Sequence, residues 1–507
     1  MLRRYPLISI VMTLMLLCTS ESLQAAASVG SQAAAILDEA GGSTSLVVVQ
    51  PGQESVIALN PDTPMTSASL YKVGVMVATY QALAAGTLSL YQPLTITQSD
   101  LDFYGDDPAS PAGTTLSVAD ALERMITWSD NGAAGALIAR LGTATINAAF
   151  TKQHMTHSHM GTPPDVSPST PRSLAQTTAS DQATLYLRLL AGQVVSLSAS
   201  EDMLARLSRQ RVNDRLPALL PPGTVVAHKS GDLDGVQNDA GILFTPRGPV
   251  ITVVLTNQQT DETQARQAIA RVSRLVYDYV LRGGPALPDY QIGAGWFFTQ
   301  ANGRGGAGEL GYSIINDRDA QFWTAFRHLG GVDTVGYPAS SAFLWHGLIY
   351  QVTQKEVFQW RPDLQDVTFL NVFDTLHDEG FDAWLDATKQ IPPPLDTIDD
   401  RGLTWNQVIA RHQRLLDRVP AIKARYHTDP AALNHYGLPM GIKDYGPVIV
   451  IRCQRAAFQY WKVSRPWAKV GAVTLVNAGD LAKTVNLFPP EASTPGPAGR
   501  TRALSLH

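Results

Sequence analysis

Ser69-Leu70-Tyr71-Lys72 opens an apolar stretch that runs to Leu83, and Ser129-Asp130-Asn131 and Lys229-Ser230-Gly231 follow it at long spacing. Together the three stretches supply a hydroxyl nucleophile, two amines, a second hydroxyl and an amide. A serine hydroxyl is a weak nucleophile at neutral pH and needs a base within hydrogen-bond reach. Lysine serves as that base when burial or a nearby cation lowers its pKa. The set therefore predicts a serine acyl-transfer enzyme.

Each stretch also has an ordinary structural explanation when it stands alone. Ser69 precedes a stretch of helical character and Lys72 follows one turn later, so the pair fits an exposed helix start. The second stretch suits a helix cap, because serine, aspartate and asparagine are preferred there. Lys229 follows the β-rich run Val225–His228 and lies on a predicted strand. The combination of all three favours chemistry over these separate explanations.

In this order the three stretches resemble the motifs of class A β-lactamases and penicillin-binding proteins. The resemblance implies that Ser69 is the nucleophile and that Lys72 takes its proton. It also implies that Ser129 passes a proton to the leaving nitrogen and that Asn131 orients the substrate. Asp130 is expected to be structural. No metal and no organic cofactor is implied.

The same resemblance assigns a substrate site on and around the third stretch. Its residues are Tyr104, Asn131, Lys229, Ser230, Gly231 and Asp232. Lys229 and Ser230 are expected to hold a substrate carboxylate, and Gly231 to leave the strand open for a ligand. The backbone N–H groups of Ser69 and Asp232 are expected to form an oxyanion hole. Tyr104 stands where the family places an aromatic gate.

One family feature is missing between the second and third stretches. Class A β-lactamases carry a glutamate there, followed four residues later by an asparagine, and the glutamate activates the water that frees the acylated serine. Residues 161–171 hold neither, and Asp165 is their only carboxylate. Its side chain is one methylene shorter, and a base misplaced by about 1 Å can cost roughly 100-fold in rate. Asp165 is either a replacement base or a turn residue beside Pro164. We expect acylation to be intact and deacylation to be slow.

The N-terminal half of the chain reads as one exported domain. Arg3 and Arg4, an apolar run from Leu7 to Cys18 and the small residues that follow predict a signal peptide over 1–27. Residues 28–283 carry β-rich runs at 45–50, 55–59, 226–228, 241–244 and 251–257, with helical stretches between them. This order predicts an α+β domain whose antiparallel sheet is built from both ends of the sequence. Helices flank the sheet, and others form a helical subdomain.

The C-terminal part of the chain differs in composition and contains a repeat. Eight of the nine tryptophans lie beyond residue 290. Gly336-Tyr337-Pro338 precedes Phe358-Gln359-Trp360 much as Gly437-Leu438-Pro439 precedes Phe458-Gln459-Tyr460, about 100 residues later. We expect two related small modules, 290–392 and 400–489, and a disordered tail over 490–507. The aromatic residues Trp360, Tyr460 and Trp461 are either cores of these modules or stacking platforms for a cell-wall glycan.

Composition excludes some classes of partner. Charged residues make up 16% of the chain, the net charge is −5, and no basic stripe with interleaved aromatics occurs, so no nucleic-acid partner is expected. No second long apolar run follows the signal peptide, so no membrane span is expected after its cleavage. His154, His157 and His159 lack the spacing of a typical zinc site and are expected to be loop residues, so no metal is predicted.

Three functions remain open from the sequence. The first is opening of β-lactam amide bonds through a Ser69 acyl-enzyme. The second is a D-alanyl-D-alanine carboxypeptidase or transpeptidase acting on peptidoglycan peptides, which also end in a carboxylate. The third is a sensor or binding protein that acylates once without turnover. All three place the mature protein outside the cytoplasm, secreted or periplasmic.

Overall fold

The computed structural model of the protein describes residues 28–52, 55–105, 109–161, 174–283, 287–300 and 310–503. The chain divides into two compact units, Met1–Ala294 and Gly295–His507. The predicted signal peptide lies outside the described residues, and so does Asp165.

The first unit contains eleven strands and nine helices among its described residues. The strands are β1 Ser43–Val49, β2 Ser55–Leu59, β3 Met65–Thr66, β4 Pro93–Thr95, β5 Thr115–Ser117, β6 His159–Met160, β7 Ala175–Thr177, β8 Val225–Leu233, β9 Val236–Thr245, β10 Gly248–Asn257 and β11 Asp289–Ile292. The helices are α1 28–40, α2 Tyr71–Ala84, α3 Gln98–Tyr104, α4 Val118–Thr127, α5 Asn131–Leu141, α6 Thr143–Lys152, α7 Ala179–Leu190, α8 Leu197–Leu207 and α9 Glu262–Arg282.

A five-stranded antiparallel sheet joins the two ends of this unit, in the order β2-β1-β10-β9-β8. Val47 of β1 stands opposite Val253 of β10, so strands about 200 residues apart are neighbours. Leu46 and Val48 point to one face, where they pack with α1 and α9 through residues such as Ile269. This architecture confirms the predicted α+β fold. β8, with Lys229 on it, is an edge strand of this sheet.

Helix α2 is the central element of the helical subdomain. Its residues from Tyr71 to Tyr80 are buried without interruption, as expected for a helix with neighbours on every side. Gly74 permits the close approach of α6, because a Cβ there would lie 2.1 Å from the Phe150 ring. The buried position of α2 fixes the direction of the serine turn that precedes it.

The second unit contains ten strands and eight helices among its described residues. The strands are β12 Gly295–Phe298, β13 Tyr312–Ile315, β14 Phe343–Trp345, β15 Leu348–Val352, β16 Val357–Arg361, β17 Asp366–Phe369, β18 Pro439–Asp444, β19 Val448–Cys453, β20 Ala457–Trp461 and β21 Val473–Leu475. The helices are α10 Phe322–His328, α11 Gly331–Val335, α12 Val372–Asp378, α13 Asp382–Trp384, α14 Trp405–Gln413, α15 Pro420–His427, α16 Ala432–Tyr436 and α17 Ala478–Thr484.

The sequence repeat corresponds to two four-stranded meanders, β14-β15-β16-β17 and β18-β19-β20-β21. A glutamine supports the start of each. Gln354 Oε1 accepts the Tyr337 N–H at 3.0 Å, and Gln454 Oε1 accepts the Leu438 N–H at the same distance. The two halves are not independent modules, however, because Phe343 and its neighbours share one hydrophobic core with residues of β19, β20 and α17.

The C-terminal residues 490–503 and the aromatic residues of the repeat both belong to the packed part of this unit. The predicted disorder from Pro490 onwards is wrong for residues 490–503: Gly496 pairs with Gly311, and Ala492 is buried. The proline- and glycine-rich composition was misleading, because Gly496 and Arg502 form backbone bridges with Gly311 and Ala342, the residues that precede β13 and β14. Trp360 and Trp461 are buried and Tyr460 is partly buried, which agrees with their role as core residues.

Among the described helices, none has by itself the length and apolar character needed to cross a bilayer. Only α5 and α6 taken together, with a 90° bend between them, reach that criterion.

Candidate active site

Ser69 lies in a short 3₁₀ turn, Ala68–Leu70, that leads directly into α2. Ala68 and Leu70 are buried on either side of it, whereas Ser69 itself is partly exposed. The first N–H groups of a helix have no partner within the helix and favour negative charge nearby. The turn therefore presents an accessible hydroxyl at a position where a developing oxyanion is stabilised.

The serine turn is strained and is held by the sheet. Ala68 has a φ of +46°, in the left-handed region that costs a residue with a side chain about 1–2 kcal/mol. Asn238, buried on β9, donates from Nδ2 to the carbonyl oxygens of Thr66 at 2.9 Å and Ser67 at 3.2 Å. Its Oδ1 accepts the Thr256 N–H at 2.8 Å, which fixes the amide orientation. Asn238 thus connects the central strands to the turn that carries Ser69.

Gly231 allows this turn to approach β8. A Cβ at residue 231 would lie 3.0 Å from the Ser67 carbonyl oxygen, 3.1 Å from Ala68 Cβ and 3.3 Å from Asn238 Cβ. The sequence suggested that this glycine leaves room for a ligand. In the structure, the space it leaves is next to the backbone of the serine turn.

Lys72 is fully buried one turn after Ser69. Its Nζ donates to the Ser129 carbonyl oxygen, to Ser129 Oγ at 3.2 Å and to Asn131 Oδ1 at 2.7 Å. The first two predicted stretches therefore meet at the Lys72 amine, although 57 residues separate Lys72 from Ser129.

Lys229 reaches the same hydroxyl from β8. Its Nζ lies 3.0 Å from Ser129 Oγ and donates to the Ser230 carbonyl oxygen at 2.9 Å. Burial, and after it the charge of Lys72, lowers the pKa of Lys229 well below its usual value of 10.5. Asp239 acts in the opposite direction on this pKa, with a smaller effect.

Two buried amines thus converge on the Ser129 hydroxyl. Two ammonium groups so close together repel each other, which favours a state in which one is neutral. With Lys229 neutral, Ser129 Oγ accepts an N–H of Lys72 and can donate its own proton to Lys229. This arrangement permits a proton to move between the two lysines through the serine hydroxyl.

The other residues of the second stretch position this hydroxyl. Ser129 has a φ of +61°, and Asp130 caps α5 by accepting the Ala133 N–H at 2.8 Å. The second Asp130 carboxylate oxygen accepts a hydrogen bond from Ser110. Asp130 is therefore structural, as expected, and it sets the backbone geometry of its two neighbours.

Tyr104 ends α3 and lies against α5. A Cβ at Gly135 would come within 2.9 Å of the Tyr104 ring, and one at Gly105 within 3.1 Å of Asn131 Nδ2. Burial, followed by the charge of Asp100, raises the pKa of Tyr104 to about 12, so the phenol stays protonated at neutral pH. The structure places this aromatic residue beside the helix that begins with Asn131.

Arg215, a charged residue that no motif indicated, contacts the end of β8. Arg215 is fully buried and donates to Asp232 at 2.5 Å and to Gln237. The Asp232 side chain is 59% exposed, and Gln237 Nε2 donates to its other oxygen at 3.0 Å. A carboxylate therefore stands on the accessible end of β8, two residues after the buried Ser230. No sequence pattern marked Arg215, because its partner is 17 residues away on another element.

Asp165 falls outside the described residues. His154, His157 and His159 are exposed, and the His157 N–H donates to Asp181 at 2.9 Å. Within the described ranges no group of three or more histidine, cysteine or carboxylate side chains could hold a metal ion.

The geometry defines a class of protein. An accessible serine stands at a helix N-terminus, a buried lysine lies one turn away, and a second serine between two lysines can relay protons. These are the parts of a serine acyl-transfer enzyme whose base is lysine.

Comparison with known proteins identifies the family. The sequence model described as "Beta-lactamase enzyme family" matches residues 28–280, which is almost the whole first unit. The chain belongs, through this unit, to that family and is a class A β-lactamase-like serine hydrolase.

The chain has curated and structural relatives. It is 23% identical to the β-lactamase VEB-1 of Pseudomonas aeruginosa over 254 residues, which is 46% of this chain and 85% of that protein. A crystal structure of a β-lactamase from Sphaerobacter thermophilus shares 26% identity and covers 51% of this chain and 99% of its own, with a TM-score of 0.46. A structure of PBP-A shares 26% identity over 50% of this chain and 95% of its own, with a TM-score of 0.44.

Proposed function

We propose that the protein opens β-lactam amide bonds through an acyl-enzyme on Ser69 and releases the product slowly. The single observation that carries the proposal is the convergence of Lys72 and Lys229 on the Ser129 hydroxyl. Such an arrangement supplies a base for the nucleophile and an acid for the leaving nitrogen within one connected network.

The proposed chemistry uses the contacts of the two lysines with Ser129 and the position of Lys72 one turn after Ser69. A proton passes from Lys72 through Ser129 to Lys229, which leaves the Lys72 amine free to accept the Ser69 proton. Ser69 Oγ then forms an ester bond with the substrate carbonyl carbon, and the amide C–N bond breaks. Ser129 gives its proton to the leaving nitrogen and recovers one from a lysine. The N–H groups of Ser69 and Asp232 serve as oxyanion donors, each worth about 3–4 kcal/mol.

The slow second step rests on the sequence of residues 162–173. That segment contains no glutamate, and Asp165 is its only carboxylate. Without a well-placed base, water attacks the ester slowly and the acyl-enzyme accumulates. An Asp165→Ala variant distinguishes the two roles of this residue: a longer adduct lifetime indicates a base, and an unchanged lifetime indicates a turn residue.

Intact-protein mass spectrometry tests the proposal directly. After mixing with benzylpenicillin, the protein is expected to gain the mass of one penicillin and to keep it for many minutes. Ser69→Ala should show no adduct. Ser89→Ala, which removes an exposed serine hydroxyl outside the site, is the matched control and should behave as the parent protein. Rapid return to the free mass together with product release would contradict slow deacylation.

Parallel assays separate the alternatives. Turnover of a chromogenic cephalosporin supports the β-lactam hydrolase, and turnover of a peptide ending in D-Ala-D-Ala supports the peptidase. A stoichiometric burst on either substrate without turnover supports a sensor. We also propose that the first 27 residues direct export to the periplasm or the exterior, where such substrates occur.

A further inference from the structure

The β20–β21 turn of the second unit carries an exposed apolar and basic surface that the acyl-transfer chemistry does not use. It comprises residues 462–470, Lys-Val-Ser-Arg-Pro-Trp-Ala-Lys-Val, and we call it the Trp467 turn. Trp467 is 69% exposed, Val470 63% and Val463 42%. Large apolar side chains grouped at one tip are unusual on a soluble surface.

The turn is formed in advance and does not need a ligand to order it. Arg465 and Ala468 exchange backbone hydrogen bonds of 2.7 and 3.2 Å around Pro466 and Trp467. Proline suits the second position of such a turn because its φ is already fixed. The rings of Trp467 and the buried Trp461 form a T-shaped pair, with an interplanar angle of 82° and centroids 6.0 Å apart. The hydrogen-bonded turn and the Trp461 ring therefore hold Trp467 in an exposed position.

The turn itself carries three basic residues and no acidic one. Lys462 pairs with Asp444 at 2.8 Å, whereas Arg465 and Lys469 are both exposed next to Trp467. The sequence contains no aspartate or glutamate between Asp444 and Asp480. An anionic surface would therefore be attracted to this tip.

The corresponding turn of the first repeat provides an internal comparison. From the last residue of β16 to the start of β17 the chain reads Arg361-Pro362-Asp363-Leu364-Gln365, and Arg361 is paired with Asp363 at 2.7 Å. Leu364 is exposed there, but its turn has no aromatic residue and its cation is neutralised. The two turns occupy the same place in the repeat. Only the second carries an exposed aromatic ring, and the arginine of the first is paired with a carboxylate.

We propose that the Trp467 turn binds the interfacial region of an anionic lipid bilayer. Tryptophan prefers the level of the lipid headgroups, where its ring is in an apolar layer and its N–H remains near water. Val463 and Val470 add apolar surface beside it, and Arg465 and Lys469 face the anionic headgroups. A glycan platform fits less well, because the exposed Val463 and Val470 add apolar surface that a bilayer interface accommodates and that offers a sugar no hydrogen-bond partner.

Vesicle co-sedimentation tests the proposal with the full chain, so that residues 1–27 are common to all variants. The protein should bind vesicles of phosphatidylglycerol and phosphatidylcholine more tightly than vesicles of phosphatidylcholine alone. Trp467→Ser should weaken the anionic binding at least five-fold. Lys469→Glu should weaken it more than five-fold, because removal of one cation near an anionic surface accounts for about that factor.

Matched controls make the assay specific to this turn. Trp405→Ser removes another tryptophan that is 60% exposed, and Leu364→Ser alters the corresponding turn of the first repeat. Both should bind as the parent protein does, and so should Ser69→Ala. Unchanged binding by Trp467→Ser would overturn the proposal. Retention on purified peptidoglycan that Trp467→Ser abolishes, in the absence of vesicle binding, would overturn it in favour of a glycan.

Discussion

Gly231→Ala provides a sharp test of how the sheet holds the nucleophile. The added Cβ would lie 3.0 Å from the Ser67 carbonyl oxygen and 3.1 Å from Ala68 Cβ. Non-bonded carbon atoms prefer separations of about 3.5–4.0 Å, so the turn or β8 must move by several tenths of an ångström. Overpacking of this kind costs about 1–3 kcal/mol of stability. The turn that moves is the one that carries Ser69.

The effect on chemistry should exceed the effect on stability. A displacement of about 1 Å can cost 100-fold in rate, so a shift of about half that size should slow acylation by roughly 10-fold. Single-turnover acylation with a fluorescent penicillin measures this rate, and thermal unfolding measures the stability. For a unit of this size, each 1 kcal/mol lowers the unfolding temperature by about 2–4 °C.

Gly30→Ala is the matched control for this substitution. Gly30 lies in α1, and the nearest atom to an added Cβ is an Ile57 methyl group at 3.9 Å, an ordinary contact. Alanine there should leave acylation unchanged and stabilise the helix by up to about 1 kcal/mol. If Gly231→Ala acylates at the parental rate and unfolds at the parental temperature, the turn is not held as described.

Three further substitutions test the lysine–serine network, the hydrogen bonds that hold the serine turn, and the glutamine that supports the second repeat. Burial lowers the pKa of Lys229, so between that pKa and 10.5 the folded protein binds fewer protons than the unfolded chain. The free energy of unfolding should therefore rise with pH across this window. Lys229→Met should abolish this rise when thermal unfolding is measured as a function of pH. The control Lys152→Met, which removes an exposed lysine, should retain it. Asn238→Ala removes the donors to Thr66 and Ser67 and should cost about 1–3 kcal/mol in denaturant unfolding while slowing acylation. Gln454→Ala should destabilise the second unit by about 1 kcal/mol, measured by calorimetry, and leave acylation by penicillin unaffected.

The sequence predicted the sheet well where strands are long and apolar. The runs 45–50 and 251–257 become β1 and β10, and their pairing closes the first unit as expected. The short strands β3, β6 and β7 escaped notice, because two or three residues carry no periodicity. They nevertheless matter, since β3 leads into the serine turn.

For the candidate site, the sequence indicated residue types but not the reasons for their positions. Gly231 was expected to face a ligand, and it faces Ser67. The sequence motifs do not include Asn238, although its side chain holds the serine turn. Arg215 carries no motif, because its contacts with Asp232 and Gln237 arise from tertiary packing alone. These supporting contacts depend on distances in the folded protein, and a sequence motif does not contain them.

The proposals assign three properties to different residues. Acylation is expected to depend on the amines that meet at Ser129 and on the turn that Gly231 and Asn238 hold. The lifetime of the acyl-enzyme is proposed to depend on the sequence around Asp165. Membrane binding, as proposed, depends on Trp467 in the other unit. Substitutions in one set should therefore leave the other two measurements unchanged. A Trp467→Ser variant that altered the acylation rate of soluble penicillin would show that this division is incomplete.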